Sequence, residues 1–134
     1  MKKVLVIEDE PDVARYLSMV LRTNGFEPYV VTDPREAFAM IESVKPDLIS
    51  LDIMMPEKSG LSMYSQLRGD SAYRDIPVLI VSGMESERQF DFRAYVADGA
   101  IPKPDCYFEK PIDVERFIQV IRKLLESRVG AGGE

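Results

Sequence analysis

The chain contains no histidine and a single cysteine, Cys106. The first absence removes imidazole acid–base chemistry, a Ser-His-Asp triad and zinc sites of the usual kind. The second excludes an internal disulfide and any metal centre built on several thiolates, and it suits a reducing compartment, so a cytoplasmic location is expected. Basic residues are in the minority, 17 Lys and Arg against 23 Asp and Glu, and the net charge of −6 speaks against nucleic acid as a partner of this domain. No apolar run approaches membrane-spanning length. The opening Met1-Lys2-Lys3-Val4-Leu5-Val6-Ile7 begins like a secretory leader, but Glu8, Asp9 and Glu10 follow at once. Repeats of solenoid period and low-complexity tracts are also missing. What is there is ordinary: 134 residues, 46% hydrophobic and 30% charged, enough for one domain with a proper core.

Short apolar runs alternate with longer amphipathic stretches. Val4 to Ile7 is a continuous apolar run, and Pro11 to Asn24 carries Val13, Leu17, Val20 and Leu21 at helical spacing before Gly25 closes it. Pro28 to Val31 is a weaker strand. Asp33-Pro34-Arg35-Glu36 starts a helix, with a capping Asp, Pro at the first helical position and Glu at the third, and Ala37, Phe38, Ile41 and Val44 form its apolar face. Strands are expected at Asp47–Ile53, Pro77–Ser82 and Cys106–Glu109. Helices are expected from Ser59-Gly60 to about Arg68, over Glu85–Ala97, and over Asp113–Ser127, where Val114, Phe117, Ile118, Ile121, Leu124 and Leu125 share one face. The unit βα thus recurs about five times. Strands apolar on both faces and joined by helices imply a parallel sheet covered on both sides. Residues 1–127 are expected to form this domain and residues 128–134 a flexible Gly-rich tail.

In open sheets of this kind, ligands sit beyond the carboxyl ends of the strands. Those ends carry Glu8 and Asp9, Asp52, Ser82 and Lys110. Convergence of three carboxylates is costly, since two unit charges ~4 Å apart repel by roughly 4 kcal/mol at an effective dielectric near 20. A divalent cation is the natural remedy: Mg²⁺ takes carboxylate oxygens and accepts phosphoryl oxygens besides. Lys110 adds a second positive charge as a point donor. Phosphoryl transfer needs positioning and charge neutralisation, and a carboxylate held beside such charges can itself be the nucleophile, giving an aspartyl phosphate. Taken singly, each residue has a plainer use: acids favour a helix N-terminus, serine caps strand ends and lysine solvates surfaces. Asp52 resists that reading, because it lies between Leu51 and Ile53 in an apolar strand, where an unpartnered carboxylate is expensive.

Val4-Leu5-Val6-Ile7-Glu8-Asp9-Glu10, Leu51-Asp52-Ile53-Met54-Met55-Pro56, Ser82-Gly83 and Glu109-Lys110-Pro111 together resemble the four conserved blocks of bacterial two-component response-regulator receiver domains. The resemblance covers nearly the whole chain in order. It implies a flavodoxin-like (βα)5 fold, doubly wound, with a five-stranded parallel sheet of order 2-1-3-4-5 and helices on both faces. It implies that Asp52 is the phosphoacceptor, that Asp9, Asp52 and the Met54 carbonyl bind Mg²⁺ and Glu8 acts largely through water, and that Ser82 and Lys110 hold the phosphoryl oxygens. Tyr107 would be the aromatic switch that turns inward when Ser82 moves. The implied partners are a sensor histidine kinase or phosphotransfer protein and a downstream protein, with phosphorylation-dependent homodimerisation as one mode of output. The implied role is a switch that assists its own phosphorylation and dephosphorylation, not a conventional enzyme.

Lys103-Pro104 is a second Lys-Pro pair at a plausible distance from Ser82. Lys110 is preferred because Cys106-Tyr107-Phe108-Glu109 can form the strand before it and the strongest helix follows, whereas Lys103 lies between two prolines. That choice makes the Ser82-to-Lys110 stretch longer than the family's, with the excess around residues 100–105, so the usual signalling face is in question here. Methionines at 54 and 84 occupy positions that in the family tune dephosphorylation. Neither can orient water by strong hydrogen bonds, which implies a slow decay of the aspartyl phosphate. Three other functions match the residues less well. An Asp-nucleophile phosphatase of the haloacid-dehalogenase type needs an acid where Met54 stands. A nucleotide-binding domain needs a glycine-rich loop where Glu8-Asp9-Glu10-Pro11 stands. A degenerate receiver that only binds partners is less well matched, since all five key side-chain positions are filled.

Overall fold

The computed structural model describes residues 1–52, 60–82 and 106–132. Within them the elements are β1 (Lys3–Ile7), α1 (Pro11–Thr23), β2 (Glu27–Val31), a 3₁₀ turn (Pro34–Glu36) leading into α2 (Ala37–Val44), β3 (Leu48–Asp52), α3 (Gly60–Gly69), β4 (Val78–Ser82), β5 (Cys106–Glu109) and α4 (Val114–Gly132). The strands form one five-stranded sheet in the order β2-β1-β3-β4-β5, with every pairing parallel. That is the doubly wound order expected of the chain. The helix expected at Glu85–Ala97 and the 100–105 loop lie outside the described residues.

Alternation along the strands sorts the core into two halves. Leu5, Ile7, Ile49, Leu51, Val78 and Ile80 face one side and pack with Ala37 and Ile41 of α2 and Met63, Tyr64 and Leu67 of α3. Val4, Val6, Leu48, Leu79, Val81 and Phe108 face the other, against Leu17 and Leu21 of α1 and Phe117, Ile118, Ile121 and Leu125 of α4. Full burial of each large apolar side chain contributes ~1.5–3 kcal/mol, so both faces of the sheet are firmly covered.

Local chemistry sets the element ends. The Asp33 carboxylate accepts from the Arg35 N–H at 2.9 Å, as a capping residue should, but the first turn it caps is 3₁₀ and the α-helix starts only at Ala37. After α1 the chain turns through Gly25 at φ +89°, a conformation that disfavours any side chain. The Asp113 carboxylate accepts from the Arg116 N–H at 3.2 Å and opens α4. That helix continues to Gly132, past the expected end at Ser127. Once the earlier turns are fixed by packing, a glycine's propensity cost of ~1 kcal/mol does not stop propagation.

Candidate functional site

Parallel pairing brings the carboxyl ends of four strands to one rim. Ile7 lies beside Leu51, Asp52 beside Val81, and Ser82 beside Glu109. Glu8 is the first residue beyond β1, and its N–H donates to the Val31 carbonyl at 3.0 Å, which fixes it at the carboxyl-end rim. Asp52 is the last residue of β3, and Lys110 follows β5 directly.

The side chains meet there. Glu8 and Asp52 are 1% and 2% exposed. One carboxylate oxygen from each of Glu8, Asp9 and Asp52 lies within 4.8 Å of the others. Lys110 Nζ donates to Glu8 Oε2 at 3.1 Å and to Asp52 Oδ2 at 3.3 Å, bridging the two buried acids. The partners are separated from Lys110 by 102 and 58 positions in sequence, so only the fold assembles them.

Electrostatics follow from this geometry. Burial raises the Glu8 pKa to about 8, and the hydrogen bond and charge of Asp52 push the same way; Lys110 opposes them without prevailing. Asp9 is raised too, by burial first and then by Asp52. For Lys110, burial works against the ammonium, but the charges of Asp52, Glu8 and Glu10 outweigh it and raise its pKa. The site therefore carries more negative charge than one ammonium balances. This donor set, three hard oxygens in a partly enclosed rim, fits a divalent cation such as Mg²⁺.

Of the residues singled out from sequence, Glu8, Asp9, Asp52 and Lys110 are brought together. Ser82 and Tyr107 are placed only by backbone, at the end of β4 and within β5; their side chains lie outside the described residues, as do Met54, Met84 and Lys103. One participant was not singled out. Glu10 Oε1 lies 3.6 Å from Lys110 Nζ, and the Glu10 N–H donates to Glu8 Oε2 at 3.3 Å. Its place in the run Glu8-Asp9-Glu10 was the available signal, but an acid at a helix start has a sufficient local explanation.

Comparison with known proteins agrees in one direction. The family model described as "Response regulator receiver domain" matches residues 4–122. The sensory transduction protein RegX3 of Mycobacterium tuberculosis is 37% identical over 125 residues, covering 93% of this chain and 51% of that protein. The DNA-binding dual master transcriptional regulator RpaA of Synechocystis is 31% identical over 129 residues, covering 93% of this chain and 49% of that protein. The chain thus spans about half the length of the curated relatives it matches. Among solved structures, the signal receiver domain of a Syntrophus aciditrophicus signal transduction histidine kinase superposes with a TM-score of 0.80 at 27% identity, covering 95% of this chain and 92% of that one. A CheY-like receiver domain protein of Methanospirillum hungatei reaches a TM-score of 0.82 at 19% identity, with 98% of both chains covered, a likeness of fold alone.

Proposed function

The chain belongs to the response regulator receiver domain family, and from that premise we propose that it is a phosphoacceptor switch which takes a phosphoryl group onto Asp52. The observation that carries this reading is the Lys110 ammonium bridging Asp52 and Glu8 inside a ring of three carboxylates. A structural ion pair has no use for two further acids. A phosphoryl site has, because they hold a divalent cation.

In the proposed reaction an Asp52 carboxylate oxygen attacks the phosphorus of a phosphohistidine on a sensor histidine kinase or phosphotransfer protein. The new P–O bond forms as the P–N bond breaks, and the imidazole nitrogen leaves with its electron pair and takes up a proton. Asp9, Asp52 and the Met54 carbonyl would hold Mg²⁺, and Glu8 would act largely through water. That ion would supply charge neutralisation around the transferred group. Lys110 would move from Glu8 to a phosphoryl oxygen, and the Ser82 hydroxyl would donate to another. Tyr107 would follow Ser82 inward. Activation is then a shift between two conformations, biased by the new charge and read by a downstream protein, a second copy of the chain among the candidates. The domain is a switch, not a conventional enzyme, and its expected setting is the cytoplasm. Among the described residues no helix is long and apolar enough to cross a membrane.

The test is incubation with Mg²⁺ and a small acyl-phosphate donor, read by intact mass. One added phosphoryl group is expected on the wild-type chain, and none on Asp52→Asn or without metal. An adduct that persists on Asp52→Asn would move the acceptor elsewhere.

A further inference from the structure

Lys110 has a third acidic neighbour whose position the phosphoacceptor reading does not explain. The Glu8 and Asp52 side chains are each 2% exposed, whereas the Glu10 side chain is 61% exposed at the mouth of the site. Glu10 stands at the N-cap of α1, yet its side chain makes no cap hydrogen bond. Its backbone N–H donates to Glu8 Oε2, the same oxygen that Lys110 contacts, and its own Oε1 lies 3.6 Å from the ammonium. Glu8, Lys110 and Glu10 therefore close a ring. An ammonium has three N–H donors. Glu8 and Asp52 take two at hydrogen-bond distance, and Glu10 lies within ion-pair reach on the solvent side.

We propose that Glu10 is a positioning residue that draws the Lys110 ammonium toward the mouth of the site, so that Glu8 and Asp52 are freed for a divalent cation. Lys110 and the cation compete for the same carboxylates. Without the Glu10 charge, the ammonium has lost an alternative partner and is harder to displace. The inference rests on the phosphoacceptor reading, since it presupposes that the acids bind metal.

A double-mutant cycle separates this role from the direct attraction between an acid and a cation. Mg²⁺ affinity is measured by calorimetry on the whole chain, for wild type, Glu10→Gln, Lys110→Met and the double variant; Lys110→Gln completes the same cycle if Lys110→Met does not fold. Glu10→Gln is expected to weaken Mg²⁺ binding about two- to five-fold, the scale of an exposed ion pair. In the Lys110→Met background the same change is expected to do nothing. Glu10→Asp should restore part of the loss, its carboxylate being one methylene short. An equal loss in both backgrounds would make Glu10 a plain electrostatic contributor and overturn the proposal, as would no loss with Lys110 present. A wild-type chain that binds no Mg²⁺ would overturn the site reading itself, an outcome distinct from either.

Discussion

The buried Glu8 carboxylate makes the largest single contribution to the pH behaviour expected of the metal-free protein, with Asp9 shifted the same way. Glu8 has an ordinary pKa of 4.5, and burial first, then Asp52, raise it to about 8 in the fold. The folded state then holds a proton that the unfolded state has released, so the Glu8 contribution to stability is fully present below pH 4.5 and is lost as pH rises toward 8. In chelator-treated protein, the urea midpoint is expected to decline across that window, and Glu8→Gln should flatten the decline by removing the group that titrates. A midpoint that rises with pH, or a slope unchanged in Glu8→Gln, would contradict the assignment. Mg²⁺ bound as proposed would compete with the same proton, so its affinity is expected to climb over the same range. Little of this was legible in the sequence. The place of Glu8 after an apolar strand marks it as a metal-site candidate, but Glu10, two positions on, has the same side chain and is mostly exposed. The difference is burial, which depends on residues about fifty and a hundred positions away.

At the scale of elements, one side chain adds a clasp to the connection from α3 to β4, beside the turn's own backbone hydrogen bonds. Arg68, in the last turn of α3, donates from Nη1 to the carbonyls of Arg74 and Ile76 at 2.9 and 2.8 Å, and from Nε to the Tyr64 hydroxyl at 3.2 Å. Its guanidinium also lies 5.1 Å from the centre of the Tyr64 ring. This fork ties the helix end to the residues just before β4, at the opposite end of that strand from Ser82. Arg68→Ala is expected to cost on the order of 1–2 kcal/mol, because it leaves the partly buried Ile76 carbonyl without that donor and gives up the exposed bond to Arg74. Arg68→Lys should recover less than half, since a point charge cannot span the same acceptors. Denaturant unfolding measures both, and amide exchange over residues 70–76 should accelerate. A loss below ~0.5 kcal/mol would show that the turn holds itself. Such a clasp has no signature in sequence, because carbonyl acceptors exist at every residue. The elements themselves were readable: β5 falls at Cys106–Glu109 as expected, and the apolar faces of α1 and α4 are those of the helical spacing. The ends were less so, because capping and packing decide them together. Asp33 announces a helix three residues before the α-helix begins, and α4 continues past its glycine signal.

At the scale of the molecule, composition and alternation led to a parallel sheet, and the rule of carboxyl ends led to its rim. Strand order came from resemblance, since nothing local to a strand says which neighbour it takes. The convergence of Glu8, Asp52 and Lys110 then follows from topology. What the fold leaves in tension is charge: a net −6 overall, with buried acids concentrated at one rim. Two effects of added Mg²⁺ must be told apart. Any salt screens diffuse repulsion between surface charges, and that effect is shared by monovalent ions at equal ionic strength. A cation held by Glu8, Asp9 and Asp52 stabilises by mass action instead, by about 2.7 kcal/mol at a hundred times its Kd, and continues to rise with concentration. Thermal unfolding in MgCl₂ is therefore expected to show a clear upward shift over NaCl of matched ionic strength, and Asp52→Asn should lose most of that excess while keeping the shared screening. Equal shifts in the two salts would reduce the acidic rim to an ordinary charged surface, and an excess retained in Asp52→Asn would place the cation elsewhere on the molecule.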